Sequence, residues 1–117
     1  MKLKLKNRDV RSVYQALFSL GYRINDLSKR WEFAMLSEPF LRKNDLISIE
    51  INKIVETQGK VAENGSKELS QDNEDYQSLM NCEVEVEFKL ITLEQLQLAN
   101  PSIEELIILK PMIKVGD

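Results

Sequence analysis

The side chains of this sequence best suited to catalysis are two sets of carboxylates. Glu83, Glu85 and Glu87 alternate with valines, and Glu104 stands beside Glu105. Paired carboxylates can hydrolyse substrates or hold Mg²⁺. The alternation, however, places the first set on the polar face of an amphipathic strand, and the second set opens a predicted helix, where acidic residues are stabilising. We therefore interpret both sets as structural.

Other catalytic groups are missing from the sequence. There is no histidine, the side chain most used for acid–base work near neutral pH. Cys82 is the only cysteine, and we interpret it as a buried, inert thiol in a reducing cytoplasm. The four glycines are isolated, so no phosphate-binding loop is present. The sequence predicts no catalytic residue, no cofactor, no metal site and no enzymatic activity.

Basic side chains are the better candidates for a binding site. A basic cluster beside Trp31 could grip a nucleic-acid strand, but a net charge of −3 argues against that partner. Trp31 also shares a helical stripe with Leu27 and Met35, which predicts that its ring is buried. We expect the basic residues to contact a protein instead. The predicted partner-binding residues are Arg23, Lys29, Arg30, Arg42 and Lys43.

Charge is divided unevenly along the chain. Residues 1–60 carry 12 Lys/Arg against 7 Asp/Glu, whereas residues 61–117 carry 4 against 12. The simplest interpretation is that the two halves attract each other within the fold. Under that interpretation some basic residues pair with acids such as Glu94, Glu104 and Glu105. The other interpretation is a basic face for an anionic partner.

Two distant segments have the period of two that is typical of strands. Residues 2–6 alternate lysine with leucine, and residues 83–91 begin by alternating glutamate with valine. Pairing would place the leucines with the valines on a buried face and the lysines opposite the glutamates. We therefore predict that residues 2–6 pair with residues 83–89 in one small sheet.

Helical patterns fill most of the remaining sequence. A first helix is predicted over 8–20, with Asn7 as its cap, Gly21 as its end, and Tyr14 and Phe18 on its apolar stripe. A second pattern runs from about residue 25 to 57, and Pro39 near its middle predicts either two helices or one kinked helix. Ser37 could cap a new helix after the break.

The rest of the chain shows clear turn and cap signals. Residues 60–74 are predicted to form an exposed loop with low protection from hydrogen exchange, and Asn64-Gly65 could close a small hairpin within it. A short helix is predicted over 72–81. Capping boxes beginning at Thr92 and Ser102 predict two further short helices.

These elements predict one α+β domain over residues 1–117, mostly helical, with a two-stranded sheet packed on a helical bundle. The chain start lacks the apolar run of a signal peptide. No stretch approaches the roughly 20 apolar residues that would span a bilayer. We therefore expect no membrane association.

The same features resemble a family of small uncharacterised proteins from phages and prophages of Gram-positive bacteria. The similarity lies in the opening KLKLKNRDV, a helix ending near SLGYR, a long central helix, an ENG turn, the strand NCEVEVEFKLI and the terminal TLEQLQLANPSIEELIIL. Pro39 departs from the uninterrupted central helix of that family. The resemblance implies action in the host bacterial cytoplasm, with the virion as the alternative, and supplies no catalytic residues.

The expected function is therefore that of a non-enzymatic phage accessory protein that binds a host or phage protein. One version inhibits a host enzyme or defence complex. A second version is a morphogenesis or tail-assembly component. The third, a nucleic-acid-binding regulator, belongs to a different class. The sequence leaves the partner and the oligomeric state open.

Overall fold

The computed structural model describes residues 1–114, and residues 115–117 of the predicted domain lie outside the described residues. The fold is α+β and mostly helical. In chain order its elements are β1 (Lys2–Lys6), α1 (Asn7–Tyr22), α2 (Leu27–Gln58), β2 (Lys60–Val61), β3 (Lys67–Glu68), α3 (Glu74–Asn81), β4 (Glu83–Glu87), α4 (Leu93–Ala99), α5 (Ile103–Leu109) and a 3₁₀ turn (Lys110–Met112).

The predicted pairing of the two charged strands is confirmed. β1 and β4 are antiparallel, with Lys4 opposite Glu85 and Leu3 opposite Val86. The strand is shorter than the predicted 83–91, because regular pairing ends at Glu87. Beyond it, the Phe88 amide still donates to the Met1 carbonyl at 2.8 Å, and Ile91 forms a parallel bridge with Ile113.

One cluster of buried side chains unites the sheet and the helices. Helix α1 contributes Val10, Val13, Leu17 and Leu20, which recur at helical spacing and are almost wholly enclosed. The other helices and β4 close over this stripe. The largest enclosed side chains outside α1 are Phe33, Phe40, Val86, Ile91, Leu109 and Met112.

Helix α2 is one helix over Leu27–Gln58, so of the two predicted alternatives the single helix holds and the division into two helices near Glu38 is wrong. Pro39 lies inside the helix and has no amide hydrogen to donate. Leu36 and Phe40 on either side of it are buried against the core, and this packing outweighs the local cost of the proline. Ser37 caps no helix, since its hydroxyl donates to the Ala34 carbonyl.

Several predictions about caps and turns can be compared with the structure residue by residue. Both capping boxes are present at the starts of α4 and α5. β2 and β3 form the small hairpin around Gly65, whose φ of +85° suits glycine. Asn7 does not cap α1. It is the first helical residue, and its buried amide donates to the Leu79 carbonyl at 2.7 Å, which ties α1 to α3.

Candidate functional site

An aromatic ladder runs along the outer side of α1. The ring centroids of Tyr14 and Phe18 are 6.1 Å apart, and those of Phe18 and Tyr22 are 6.4 Å apart. Residues spaced by four lie on one helix face, so the three rings form a continuous row. Phe18 is 59% exposed and Tyr22 is 80% exposed, whereas Tyr14 is half-buried. Phe18 thus belongs to the apolar pattern that predicted α1, but its side chain lies outside the core.

A groove of about 380 Å³ separates this ladder from α2. Its base forms where the two helices approach closely, because a Cβ on Gly21 would lie only 3.2 Å from the Cβ of Phe33. Leu17 and Phe33 are both buried at this level. The approach leaves a shallow apolar channel between the outer side chains. On the α2 side, the channel is lined by Arg30, Phe33, Ala34, Met35, Ser37, Glu38 and Leu41.

Helix α2 also exposes apolar side chains on its outer side. Leu27, Trp31 and Met35 are 70%, 62% and 42% exposed. They were expected to form a buried stripe, and this prediction is wrong because the core-facing residues of α2 are Phe33, Leu36, Phe40 and Ile47 instead. Helix α2 is therefore apolar on two sides, and α1 and the sheet cover only one of them. We call the combined surface the α1–α2 face; it comprises Phe18, Tyr22, Leu27, Arg30, Trp31, Ala34, Met35, Glu38 and Leu41.

Charges are sparse on the α1–α2 face and of both signs. Arg30 and Glu38 line the groove two helical turns apart. Glu38 accepts a hydrogen bond from Arg42 at 2.7 Å, and both side chains of this pair are substantially exposed. A bound molecule would therefore meet an apolar channel with a cation toward one end and a carboxylate toward the other.

The five basic residues predicted to bind a partner do not form one patch. Lys29 lies near α4, with its amine 3.8 Å from Glu32. Lys43 lies on a different side of α2, near Asn7. Arg30 and, through its bond to Glu38, Arg42 are the two members at the α1–α2 face. Their contact with a partner stays a prediction.

Arg23 is held within the molecule. Its guanidinium donates to both carboxylate oxygens of Glu105, at 2.8 and 3.0 Å, and to the Asn100 carbonyl at 3.3 Å. Bidentate pairs of this kind are among the stronger hydrogen-bonded contacts in proteins. The pair joins the end of α1 to the first turn of α5, and the bond to Asn100 reaches the turn between α4 and α5. It is one instance of the attraction expected between the basic and acidic halves of the chain.

The surroundings of Glu105 lower the pKa of its carboxyl group. Burial alone would raise the pKa of Glu105, but hydrogen bonds from the Ser102 amide and from Arg23 outweigh burial. The Ser102 hydroxyl and the positive charge of Arg23 act in the same direction, so the pKa of Glu105 lies below its ordinary value. The folded structure therefore favours the ionised form of Glu105.

The other residues considered for catalysis or metal binding are not brought together in one site. Glu83, Glu85 and Glu87 are exposed along β4, as expected for its polar face. Within residues 1–114, no group of three or more acidic or cysteine side chains is arranged to hold a metal ion. Cys82 is exposed, so the prediction of a buried thiol is wrong: it follows the last turn of α3, where the chain leaves the core to enter β4.

No helix among the described residues is long and apolar enough to cross a membrane. Comparison with known proteins returned no matching family model, curated protein or solved structure.

Sequence patterns could have revealed part of the α1–α2 face. Tyr14, Phe18 and Tyr22 have a spacing of four that is visible in the sequence, and so do Leu27, Trp31 and Met35. The same spacing also describes a core stripe. Only the direction in which α1 and α2 pack decides which stripe is buried, and that direction depends on contacts made by the whole chain.

Proposed function

We propose that this protein is a non-enzymatic binding protein that docks another polypeptide on the α1–α2 face. One observation carries the proposal: the rings of Phe18, Tyr22 and Trp31 are all more than half exposed beside an apolar groove. Aromatic side chains bury large areas and are enriched in the energetically important centres of protein interfaces. Contiguous apolar patches on a monomer often mark such interfaces.

The shape of the groove favours a helix as the docked segment. Two neighbouring helices with an apolar channel between them can receive the apolar side of a third helix. Arg30 and Glu38 then favour one direction of the incoming helix, because each prefers an opposite charge on it. These two features support a protein partner over a nucleic acid, for which a concentrated basic surface is expected.

The biological setting of this proposal is that of a phage accessory protein in the host bacterial cytoplasm. A host enzyme or defence complex is the partner if the protein is an inhibitor, and a virion component is the partner if it serves assembly. Either role needs only a binding surface. Both roles are consistent with the dispersed carboxylates of the described residues, and neither requires turnover.

Affinity capture with matched variants tests the proposal. The bait is the full chain, exposed to extract from infected host cells, and the test variant is Phe18→Asp with Trp31→Asp. The control is Leu98→Asp with Ile103→Asp, which places the same charges on exposed apolar positions of α4 and α5. We expect the control to retain a stoichiometric partner and the test variant to lose it. Equal retention by both variants would remove the α1–α2 face from consideration.

The identity of the captured protein separates the two biological roles. A host enzyme or defence component supports inhibition, and a virion component supports assembly. A strongly salt-dependent shift of DNA or RNA, lost with Arg30→Glu, would instead support the nucleic-acid regulator. Turnover of nucleotides or nucleic acids with Mg²⁺ that disappears in Glu85→Gln or Glu104→Gln would contradict the absence of enzymatic activity.

A further inference from the structure

We infer that, when no other partner is bound, the α1–α2 face is occupied by a second copy of this chain, with the two α2 helices packed antiparallel about Ala34. The inference rests on the proposed function in one respect, since it needs a polypeptide-binding surface at this place. The argument comes from the order of residues around Ala34. They make the exposed side of α2 complementary to itself.

Ala34 is exposed on the groove side of α2 and is small enough to allow close approach of a second helix. In an antiparallel pair centred there, a residue a given number of positions before Ala34 lies level with the residue the same number after it in the other copy. Arg30 and Glu38 stand four positions before and after Ala34, respectively. Arg30 of each copy therefore lies level with Glu38 of the other.

The complementarity continues outward. Leu27 and Leu41, seven positions before and after Ala34, lie level and are both exposed. Offsets of four and seven return to the same side of a helix. One side of α2 therefore presents cation to anion and leucine to leucine against its own reversed copy.

Such a pairing also joins charges that already interact. Glu38 is hydrogen-bonded to Arg42 of its own helix, so Arg30 from the second copy would complete a three-member network at each end. A two-fold dimer makes every such contact twice. Arg30 is thereby given a carboxylate partner in the second copy.

The available area is of the right order for a dimer. A buried aromatic side chain contributes roughly 150–250 Å², so the exposed parts of Phe18, Tyr22 and Trp31 supply on the order of 400 Å² per copy. A stable interface needs about 800 Å² per partner. Leu27, Met35 and Leu41 lie on the same face and add to the aromatic contribution.

Charge reversal with compensation tests the inference. The mass of the full chain in solution is measured by analytical ultracentrifugation up to about 1 mM. We expect the wild type to dimerise. Arg30→Glu alone and Glu38→Arg alone should each weaken the dimer at least about ten-fold, because each places like charges at both ends. The double variant with both changes should restore affinity to within about three-fold, since the swapped pair is again complementary.

Disulfide trapping gives a second readout that does not depend on those charges. In a Cys82→Ser background, Ala34→Cys should form a covalent dimer under mild oxidation, because the same residue of both copies meets at the symmetry axis. Gln97→Cys, on the exposed side of α4, is the matched control and should not cross-link. Circular dichroism on each variant confirms that it is folded.

The results separate this inference from the proposed function. A wild type that stays monomeric, a double variant that fails to recover, or equal cross-linking at both cysteine positions would overturn the antiparallel dimer. A monomer that still loses its captured partner with Phe18→Asp and Trp31→Asp would overturn the dimer and support the proposed function. If the chain dimerises as expected but Phe18→Asp with Trp31→Asp does not change the capture of a partner, the dimer is supported and binding of a different protein at this face is contradicted.

Discussion

The α1–α2 face and the outer side of α4 and α5 both expose large apolar side chains, yet they differ in what those side chains could do. The first combines three aromatic rings with a groove and two opposite charges on long helices. The second exposes aliphatic residues on two helices of seven residues each. Its exposed members are Leu93, Leu98, Ile103, Leu106 and Ile107.

The difference lies in length and shape rather than in the amount of apolar surface. A two-turn helix can bury only a few side chains. In α4 and α5 the buried apolar residues are Leu96, Ala99 and Leu109, and most of the other apolar side chains are exposed. Exposed aliphatic residues of this kind are ordinary on protein surfaces. Helix α2 packs one apolar side against the core, and a second apolar side of the same long helix stays exposed. That exposed second side, which the core does not use, is the reason for proposing an interface there.

The largest effect is expected where the α1–α2 face meets the core. Phe33 is 1% exposed beneath the groove, so Phe33→Ala should lower the free energy of unfolding by about 3–5 kcal/mol through lost burial and a residual cavity. Trp31→Ala, two positions away but exposed, should change it by no more than about 0.5 kcal/mol. Chemical denaturation measures both. If Trp31→Ala lowers the free energy of unfolding as much as Phe33→Ala does, then Trp31 supports the fold and is not available as a separate binding surface.

An intermediate effect is expected where α5 is attached to α1. Glu105→Gln removes the charge that pairs with Arg23 and should lower the free energy of unfolding at pH 7 by about 1–2 kcal/mol, allowing for the solvent exposure of Arg23. Because the pKa of Glu105 is lower in the folded state, its ionised form stabilises the fold above about pH 4.5, the ordinary pKa of the group. This contribution is lost as pH falls through the folded-state pKa.

The pH dependence provides the control for that substitution. The difference in the free energy of unfolding between wild type and Glu105→Gln should narrow steadily in denaturation curves recorded below about pH 4.5. Glu104→Gln, the exposed neighbour, should show no comparable dependence. A difference that stays constant across this range would mean that the loss at Glu105 comes from packing rather than from its charge.

The smallest effect is expected at the charges of the sheet. Lys2 lies 3.5 Å from Glu85, and both side chains are more than half exposed. Lys2→Ala should therefore change the free energy of unfolding by less than about 0.5 kcal/mol, while Leu3→Ala, at the half-buried position beside it, should cost clearly more. Thermal unfolding of the two variants is the measurement. The reverse order would show that charge pairing, rather than burial, holds β1 to β4.

The elements that the sequence predicted well depend on neighbouring residues or on strict alternation. The register of β1 against β4 follows because a shift of one residue would turn every leucine and valine to the wrong side. The starts of α4 and α5 follow from capping boxes that close within four residues. The hairpin at Asn64-Gly65 follows from the conformational freedom of one glycine.

The sequence by itself thus determined the α+β class, the strand pairing and the positions of most helices, because those depend on short-range patterns. Tertiary structure alone decided that Trp31 and Phe18 lie outside, that Cys82 is exposed and that α2 continues through Pro39. The physical reason is that two apolar stripes on one helix are equivalent until another element covers one of them. Which stripe is covered depends on the close packing of α1 against α2 at Gly21 and Phe33, a contact between distant residues.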